Sequence, residues 1–362
     1  RGGIFDHIGF GFSRYSTDDK WLVPHFEKML YDNALLAIIY LEAFQVTGNE
    51  LYKTVALKTL SYITGEMTGE EGAFFSAQDA DSEGEEGKYY VFSKQEILDL
   101  LGEEDGLQFC EFFDITEEGN FEGKNIPNLI KTRDYDPIPD MLKRRLAEVY
   151  DYRLSRTRLH KDDKILTSWN SLMITAFAKA YKALGDEKLL RQAEQAAAFL
   201  SETMTGKDGK LRVSYRNGAA AGTGGLDDYT FFIWALLELY EATLDARYLE
   251  QARMLCGLVQ ANFSDEEGSG YYLTDKDSER LIYRPKETYD GAIPSGNSVA
   301  GYVLIKLGRL TGIEEYHTAG VKQLLYLSEN AAQYPAGHCF AMMALMMELY
   351  QESFLCENGV CS

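Results

Sequence analysis

The sequence predicts an all-α fold, an (α/α)6 toroid of helical hairpins with short β-hairpin insertions on one face and a loop-lined central cavity. Three observations carry that expectation. Apolar residues recur at three- and four-residue steps, as in Trp234, Leu237, Leu239, Tyr240 and Leu244, the period of a helix face rather than of a strand. Four pairs of such segments are each split by a short Gly or Asp signal. The pairs recur at intervals of roughly 60 to 70 residues, and a repeated supersecondary unit of this kind builds a solenoid or a closed ring.

The first hairpin runs from Leu36 to Ile63 around Thr47-Gly48-Asn49. The second spans Ile174 to Leu200 around Leu184-Gly185-Asp186, the third Leu236 to Val259 around Leu244-Asp245, and the fourth Val303 to Leu327 around Thr311-Gly312. Glycine ends a helix by turning left-handed, and Asn or Asp caps the next one. The gap after the first pair holds a degenerate fifth hairpin, with helices at Lys94 to Phe113 and Met141 to Arg153. A sixth unit is split, Gly337 to Tyr350 supplying one helix and the N-terminal side the other. Polar insertions at Ala73 to Ser93, at Lys210 to Tyr215 with its partner, and at Gly270 to Arg284 read as β-hairpins. The last turns at Asp275-Lys276-Asp277. All precede the first helix of a pair, so they share one face, and loops on a rigid scaffold are where function concentrates. Residues 1–362 are expected to form a single domain.

Composition narrows the function classes. A formal net charge of −21 over 362 residues repels a phosphate backbone, so nucleic acid is not an expected partner. No apolar run reaches the roughly 18 to 20 residues that cross a bilayer, and no basic-then-apolar leader opens the chain, so no membrane partner is expected. The first residue is Arg1 rather than Met, so the natural N-terminus is expected upstream. Cys110, Cys256 and Cys339 sit in apolar helical surroundings, where free cysteine behaves as a small hydrophobe, and point to a reducing, cytoplasmic compartment. Cys356 and Cys361 fit no standard zinc spacing. No cofactor or metal is expected. Asp79-Ala-Asp-Ser-Glu-Gly matches the start of a calcium loop, but Tyr90 stands where a bidentate Glu belongs. Gly84-Glu-Glu-Gly-Lys lacks the spacing of a phosphate loop, and Gly9-Phe-Gly opens no βαβ unit.

Chemistry-bearing residues crowd the start of each inner helix: Trp21-Leu-Val-Pro-His-Phe-Glu-Lys-Met-Leu-Tyr-Asp-Asn, Asp162-Asp-Lys-Ile-Leu-Thr-Ser-Trp-Asn, Gly225-Leu-Asp-Asp-Tyr and Pro294-Ser-Gly-Asn. Helix N-termini offer unpaired N–H groups and partial positive charge to oxygen-rich ligands. Capping explains Thr167, Asp227 and Ser295, and Pro24 suits a first helical position. It leaves Trp169, Asn170, Asp228, Tyr229 and Asn297 unexplained. If 24–33 is helical, His25, Lys28 and Asp32 share one face over about 10 Å, either lining a cavity or forming an internal salt-bridge network. Acid/base work on a sugar needs ionisable groups placed across the substrate, for which His25, Asp32 and Asp228 are the catalytic candidates. Arg14, Tyr15, Trp21, Lys28, Asp79, Asp81, Trp169, Asn170, Tyr229 and Asn297 complete the expected substrate-binding set. Arg14 and Tyr15 follow His7 in a Gly-rich stretch.

Longer motifs carry a family resemblance. Gly3-Ile-Phe-Asp-His-Ile-Gly-Phe-Gly-Phe-Ser-Arg-Tyr-Ser, Pro24-His-Phe-Glu-Lys-Met-Leu-Tyr-Asp-Asn-Ala-Leu-Leu, Asp79-Ala-Asp-Ser-Glu-Gly-Glu-Glu-Gly, Leu166-Thr-Ser-Trp-Asn and Pro294-Ser-Gly-Asn-Ser-Val-Ala resemble the thioredoxin-domain-containing family similar to spermatogenesis-associated protein 20. The resemblance implies an N-terminal thioredoxin-like domain with a Cys-x-x-Cys type motif, followed by a region similar to the six-hairpin fold of N-acylglucosamine 2-epimerases and cellobiose 2-epimerases. This chain corresponds to the second part. The resemblance thus implies a carbohydrate-active domain, similar to sugar epimerases and isomerases or to glycoside hydrolases, with a sugar as small-molecule ligand. The alternative is a non-catalytic scaffold that binds a ligand or peptide beside a thioredoxin-like domain in cis. Phe10 and Ser13 depart from the pattern, standing where the family is expected to carry Gly and often His.

Overall fold

A computed structural model describes residues 1–132, 138–278 and 282–350. It contains twelve α-helices among the described residues and divides into two compact units, Arg1–Ile165 and the chain from Leu166 onward. No described helix is long and apolar enough to cross a membrane.

In the first unit α1 (Leu30–Thr47) and α2 (Glu50–Glu66) form the expected hairpin. Gly48 turns left-handed at φ 66° and its N–H returns to the Phe44 carbonyl, while Asn49 accepts from the Leu51 N–H. The degenerate hairpin contains three helices, α3 (Lys94–Leu101), α4 (Glu103–Phe112) and α5 (Asp140–Arg156), where the sequence predicts two. Gly102, at φ 79° and ψ 166°, breaks the expected Lys94 to Phe113 helix, in a conformation closed to L-residues. Ser93 and Glu96 close a capping box on α3, and Ile97, Phe109, Phe113, Leu142, Leu146 and Val149 join the three helices in one core.

The approach to α1 differs from the sequence expectation. Pro24–His25 and Lys28–Met29 are short strands, and the helix begins only at Leu30. Lys28–Met29 pairs with Ala77–Gln78, which pairs in turn with Lys161–Asp162. The Glu27 carbonyl accepts from the Arg14 N–H and the Leu30 N–H reaches the Ser76 carbonyl, so this backbone is bonded sideways instead of along a helix. His25 and Lys28 therefore do not share a helical face with Asp32. Asp81–Ser82 pairs with Glu85–Glu86 across Glu83-Gly84, both left-handed, the two-residue turn that matches strand twist.

The second unit holds α6 (Thr167–Leu184), α7 (Glu187–Thr203), α8 (Leu226–Thr243), α9 (Ala246–Phe263), α10 (Gly296–Thr311), α11 (Glu314–Gln333) and α12 (Cys339–Leu349). Helices α6, α8 and α10 are apolar nearly all round and pack side by side, whereas α7, α9 and α11 bury one stripe against their partners. The predicted breaks at Gly185, Leu244 and Gly312 all end helices in the left-handed region. Away from the helix N-termini, Glu238 of α8 is fully buried and bonded by Trp234 Nε1 (3.2 Å), Lys182 (2.9 Å) and Lys306 (2.7 Å), tying α6, α8 and α10 together.

Of the expected caps, Ser295 serves α10, accepting from the Ser298 N–H. The N-caps of α6 and α8 are instead Leu166 and Gly225, with Thr167, Asp227 and Asp228 already inside the first turns. Ser214–Arg216 and Ala219–Ala221 form the middle insertion's hairpin across Asn217-Gly218. The Gly270 to Arg284 insertion shows no strand pair among the described residues beyond a single bridge from Tyr271 to Ser264, because its polar side chains fold it into local turns: Asp275 accepts from the Asp277 N–H. Burial pushes the thiols of Cys110 and Cys256 up to about 11 and about 12, and Cys339 is exposed. Cys356 and Cys361 lie outside the described residues.

Candidate functional site

In the first unit a chain of charges forms beside the start of α1. Tyr15 and His25 face each other across a two-residue strand pair, their rings 5.1 Å apart. His25 presents Nδ1 to Glu86 Oε1 at 3.0 Å and Nε2 to Glu27 Oε2 at 3.7 Å, and Glu27 also binds Arg14 at 3.1 Å. Glu86 arrives on the tight Asp81–Glu86 hairpin. Asp32 stands beside Arg14 and Glu27 in the first turn of α1, and its Oδ2 is buried without a hydrogen-bond partner among the described residues. Burial drives its carboxyl up to about 7, with Arg14 opposing and Glu27 adding to the rise. A carboxyl poised near neutrality and a carboxylate-held imidazole, both neighbours of Glu27, are group types suited to proton transfer. The strand pair of Tyr15–Ser16 with Pro24–His25 exposes Tyr15 and, in its connecting loop, Trp21, which is 60% exposed. Amphipathic rings of this kind offer apolar faces to a ligand.

The second unit gathers three helix N-termini around two adjacent aspartates. Asp228 accepts from the Gly225 N–H at 2.9 Å, capping α8, and from the Ser168 N–H at 3.0 Å, at the start of α6. Burial pushes it up to about 7, against those two amides, which favour the anion. Asp227 faces the start of α10, where a Cβ on Gly296 would lie 2.4 Å from its Oδ1. Its carboxyl is pushed up to about 6 by burial, opposed by the Gly296 amide and assisted by Glu287. Trp169 is half-buried next to Ser168.

Other predicted residues serve the backbone. Asn297 is buried, exchanging bonds with both the N–H and the carbonyl of Tyr271 and donating to the Glu287 carbonyl. Asn170 donates to the Leu166 carbonyl at 3.0 Å, and the Tyr229 hydroxyl accepts from the Leu211 N–H at 3.0 Å. Lys28 is buried in an ion network, bonded to Asp6 at 2.9 Å and to the Phe10 carbonyl at 2.7 Å, while Arg153 grips both oxygens of Asp6. Arg153 is held over Tyr89, and Lys28 over Tyr62. His7, also buried, is pushed down to about 4, chiefly by desolvation. Asp81 stands opposite Glu86 on the tight hairpin, and Asp79 accepts from the Asp81 N–H and lies 4.0 Å from His160.

Glu86, Asp6 and Arg153 are not legible in the sequence because they meet across 61 to 147 positions, and Glu27 because its role depends on the strand geometry. Asn33 was findable. Like Asn297 it sits in a first helical turn and clamps one residue, Phe12, through both its N–H and its carbonyl. Asn33, Asn170 and Asn297 end three of the four motif segments.

Over 92% of its length the chain is 36% identical to a mouse protein and 34% identical to its human counterpart, and both carry the same name. They are spermatogenesis-associated protein 20. The chain spans 48% of each, about half the length of these relatives. No family model matches. Among solved structures it is similar to cellobiose 2-epimerase from Spirochaeta thermophila DSM 6192, with a TM-score of 0.60 at 13% identity over 91% of this chain and 66% of that one. It is also similar to the GH76 α-mannanase BT2949 of Bacteroides thetaiotaomicron, with a TM-score of 0.52 at 11% identity over 89% of this chain and 69% of that one. These likenesses show the fold class, the (α/α)6 helical-hairpin toroid.

Proposed function

We propose that the chain is a carbohydrate-active domain in which Asp32 and His25 move protons on a sugar held against Tyr15 and Trp21. The observation that carries this reading is the buried Oδ2 of Asp32, unpartnered among the described residues, beside the Arg14–Glu27–His25–Glu86 chain. A carboxyl kept partly protonated near pH 7 supplies a general acid, and an imidazole oriented by Glu86 supplies the complementary base. The fold supports the reading, since a sugar epimerase and a glycan hydrolase share it. Asp228, both oxygens bonded to backbone amides, positions helix ends in this proposal. The relatives' additional length leaves room for the thioredoxin-like domain in cis that the sequence resemblance implies.

The test is incubation with cellobiose and mannobiose in D2O, followed by NMR. Deuterium incorporated at C2 marks an epimerase or isomerase, and new reducing ends mark a hydrolase. Either activity should vanish in Asp32→Asn with the circular dichroism spectrum unchanged. Turnover that survives Asp32→Asn removes Asp32 from the chemistry. Sugar binding without any turnover would favour the scaffold reading.

A further inference from the structure

A cavity of about 380 Å³ lies within the first unit, between α2, α5 and the Gly9-Phe10 turn, and shares no lining residue with the Asp32 cluster. Most of its wall is apolar, with Phe10 and Leu146 on two sides. Phe10 is held at φ 67°, in the left-handed region that bulky residues avoid, and this turn presents it to the cavity. Gly65 of α2 borders the space, and a Cβ added there would meet nothing within 4 Å. For scale, an apolar cavity of about 150 Å³ already takes benzene. This one accommodates a body of one to two rings.

The polar edge of the cavity is biased toward acceptors. The Tyr150 hydroxyl spends its proton on Glu66 Oε1, and the Tyr62 hydroxyl spends its own on Gln78 Oε1 at 2.7 Å. What these groups and Glu66 can still offer a ligand is lone pairs. The acceptor edge does not carry net negative charge. Glu66 is neutralised by Lys161 at 2.8 Å, and behind Gly9 the Asp6 carboxylate is outnumbered by Lys28 and Arg153. Lys143 at the rim is matched by Asp140 at 2.9 Å. A cation would meet the uncompensated positive charge of that network, and an anion would meet oxygen lone pairs. A neutral hydroxyl donor meets neither obstacle.

We propose that this cavity is a second binding site, selective for an uncharged alcohol with an apolar one- or two-ring body whose hydroxyl donates to the Glu66–Tyr150 edge. Suitable probes are 2-naphthylmethanol, 2-naphthylmethylammonium and 2-naphthoate, followed by saturation-transfer NMR on the full chain. The alcohol should bind, and the two charged analogues should bind at least tenfold more weakly. Gly65→Leu, which fills the cavity from a helix position with open space, should weaken the alcohol at least tenfold, and Ser61→Phe on the same wall provides a second block. Tyr150→Phe, which removes one acceptor oxygen, should weaken it severalfold, and Asp32→Asn should leave it unchanged. Absence of alcohol binding, equal or tighter binding of either charged analogue, or undiminished binding in both blocked variants overturns the proposal.

Discussion

Asp32 and Asp228 occupy the same place in their helices, the third residue of α1 and of α8, and burial pushes both carboxyls to about 7. Their surroundings differ in what precedes the helix. α8 leaves a turn at Gly225 whose N–H needs an acceptor, and Asp228 supplies it while also receiving the Ser168 N–H. α1 leaves a strand, and the sheet supplies the Ser76 carbonyl to the Leu30 N–H. Asp32 therefore has nothing to cap, and one of its oxygens finds no hydrogen-bond partner among the described residues. A raised pKa alone does not distinguish a structural carboxylate from an available one. The hydrogen-bond inventory does.

The largest expected effect is on turnover. If Asp32 is the available acid, Asp32→Asn should lower kcat by about a thousandfold, within the usual range for loss of a general acid or base. Near pH 4 it should shift the urea midpoint little. A modest, tenfold loss would mean that Asp32 only shapes the site.

The converse holds for the second carboxylate. Asp228→Ala removes a helix cap worth about 1 kcal/mol and strands a second buried amide at a further 1–3 kcal/mol, so a loss of about 3 kcal/mol in urea unfolding is expected. Measured near pH 4, where both carboxyls are protonated, Asp32→Ala should stay within about 0.5 kcal/mol of the parent. Equal destabilisation by the two would erase the distinction between them.

Glu86 tests how the first site is oriented. Glu86→Gln keeps a polar group near His25 but loses the charge that fixes its ring, so a fall of about tenfold in kcat with KM unchanged is expected. The pH profile should move with it, and Glu86→Asp should recover part of the rate. Loss of stability with an unmoved profile would make Glu86 a hairpin residue only.

Much of the helical scaffold is legible in the sequence because its signals are local. Gly48, Asn49, Gly185, Asp186, Leu244, Asp245 and Gly312 mark helix ends through the conformation or side chain of the residue itself. The entry to α1 is not legible in the sequence, for the opposite reason. Residues 24–29 carry helix-compatible side chains, and only pairing with Tyr15–Ser16 and with the distant Ala77–Gln78 makes them strands. The site follows the same rule. His25 and Asp32 stand out by residue type, but Glu86 reaches His25 across 61 positions and Arg153 reaches Asp6 across 147. Likewise, Asn170, Tyr229 and Asn297 look like ligand contacts in sequence, yet each supplies hydrogen bonds that loops and helix ends lack.

The smallest expected effect is a slope in stability against pH. A carboxyl whose folded pKa is raised binds more protons in the native than in the unfolded state between about pH 4 and 7, so its contribution is fully present below pH 4 and is lost as pH rises through about 7. Asp32, Asp227 and Asp228 all act in this direction. Asp32→Asn removes one of the three contributions, so unfolding free energies measured from pH 4 to pH 8 should decline less steeply than in the parent. Because the Asp32 oxygen has no partner to lose, the variant should gain relative to the parent at pH 8 and match it near pH 4. Asp228→Asn removes a similar titration but also an amide acceptor, and should fall below the parent near pH 4 and gain less than Asp32→Asn at pH 8. Parallel curves for Asp32→Asn and the parent would show that Asp32 titrates as an exposed carboxylate, and the contrast between the two helix starts would then rest on hydrogen bonding alone.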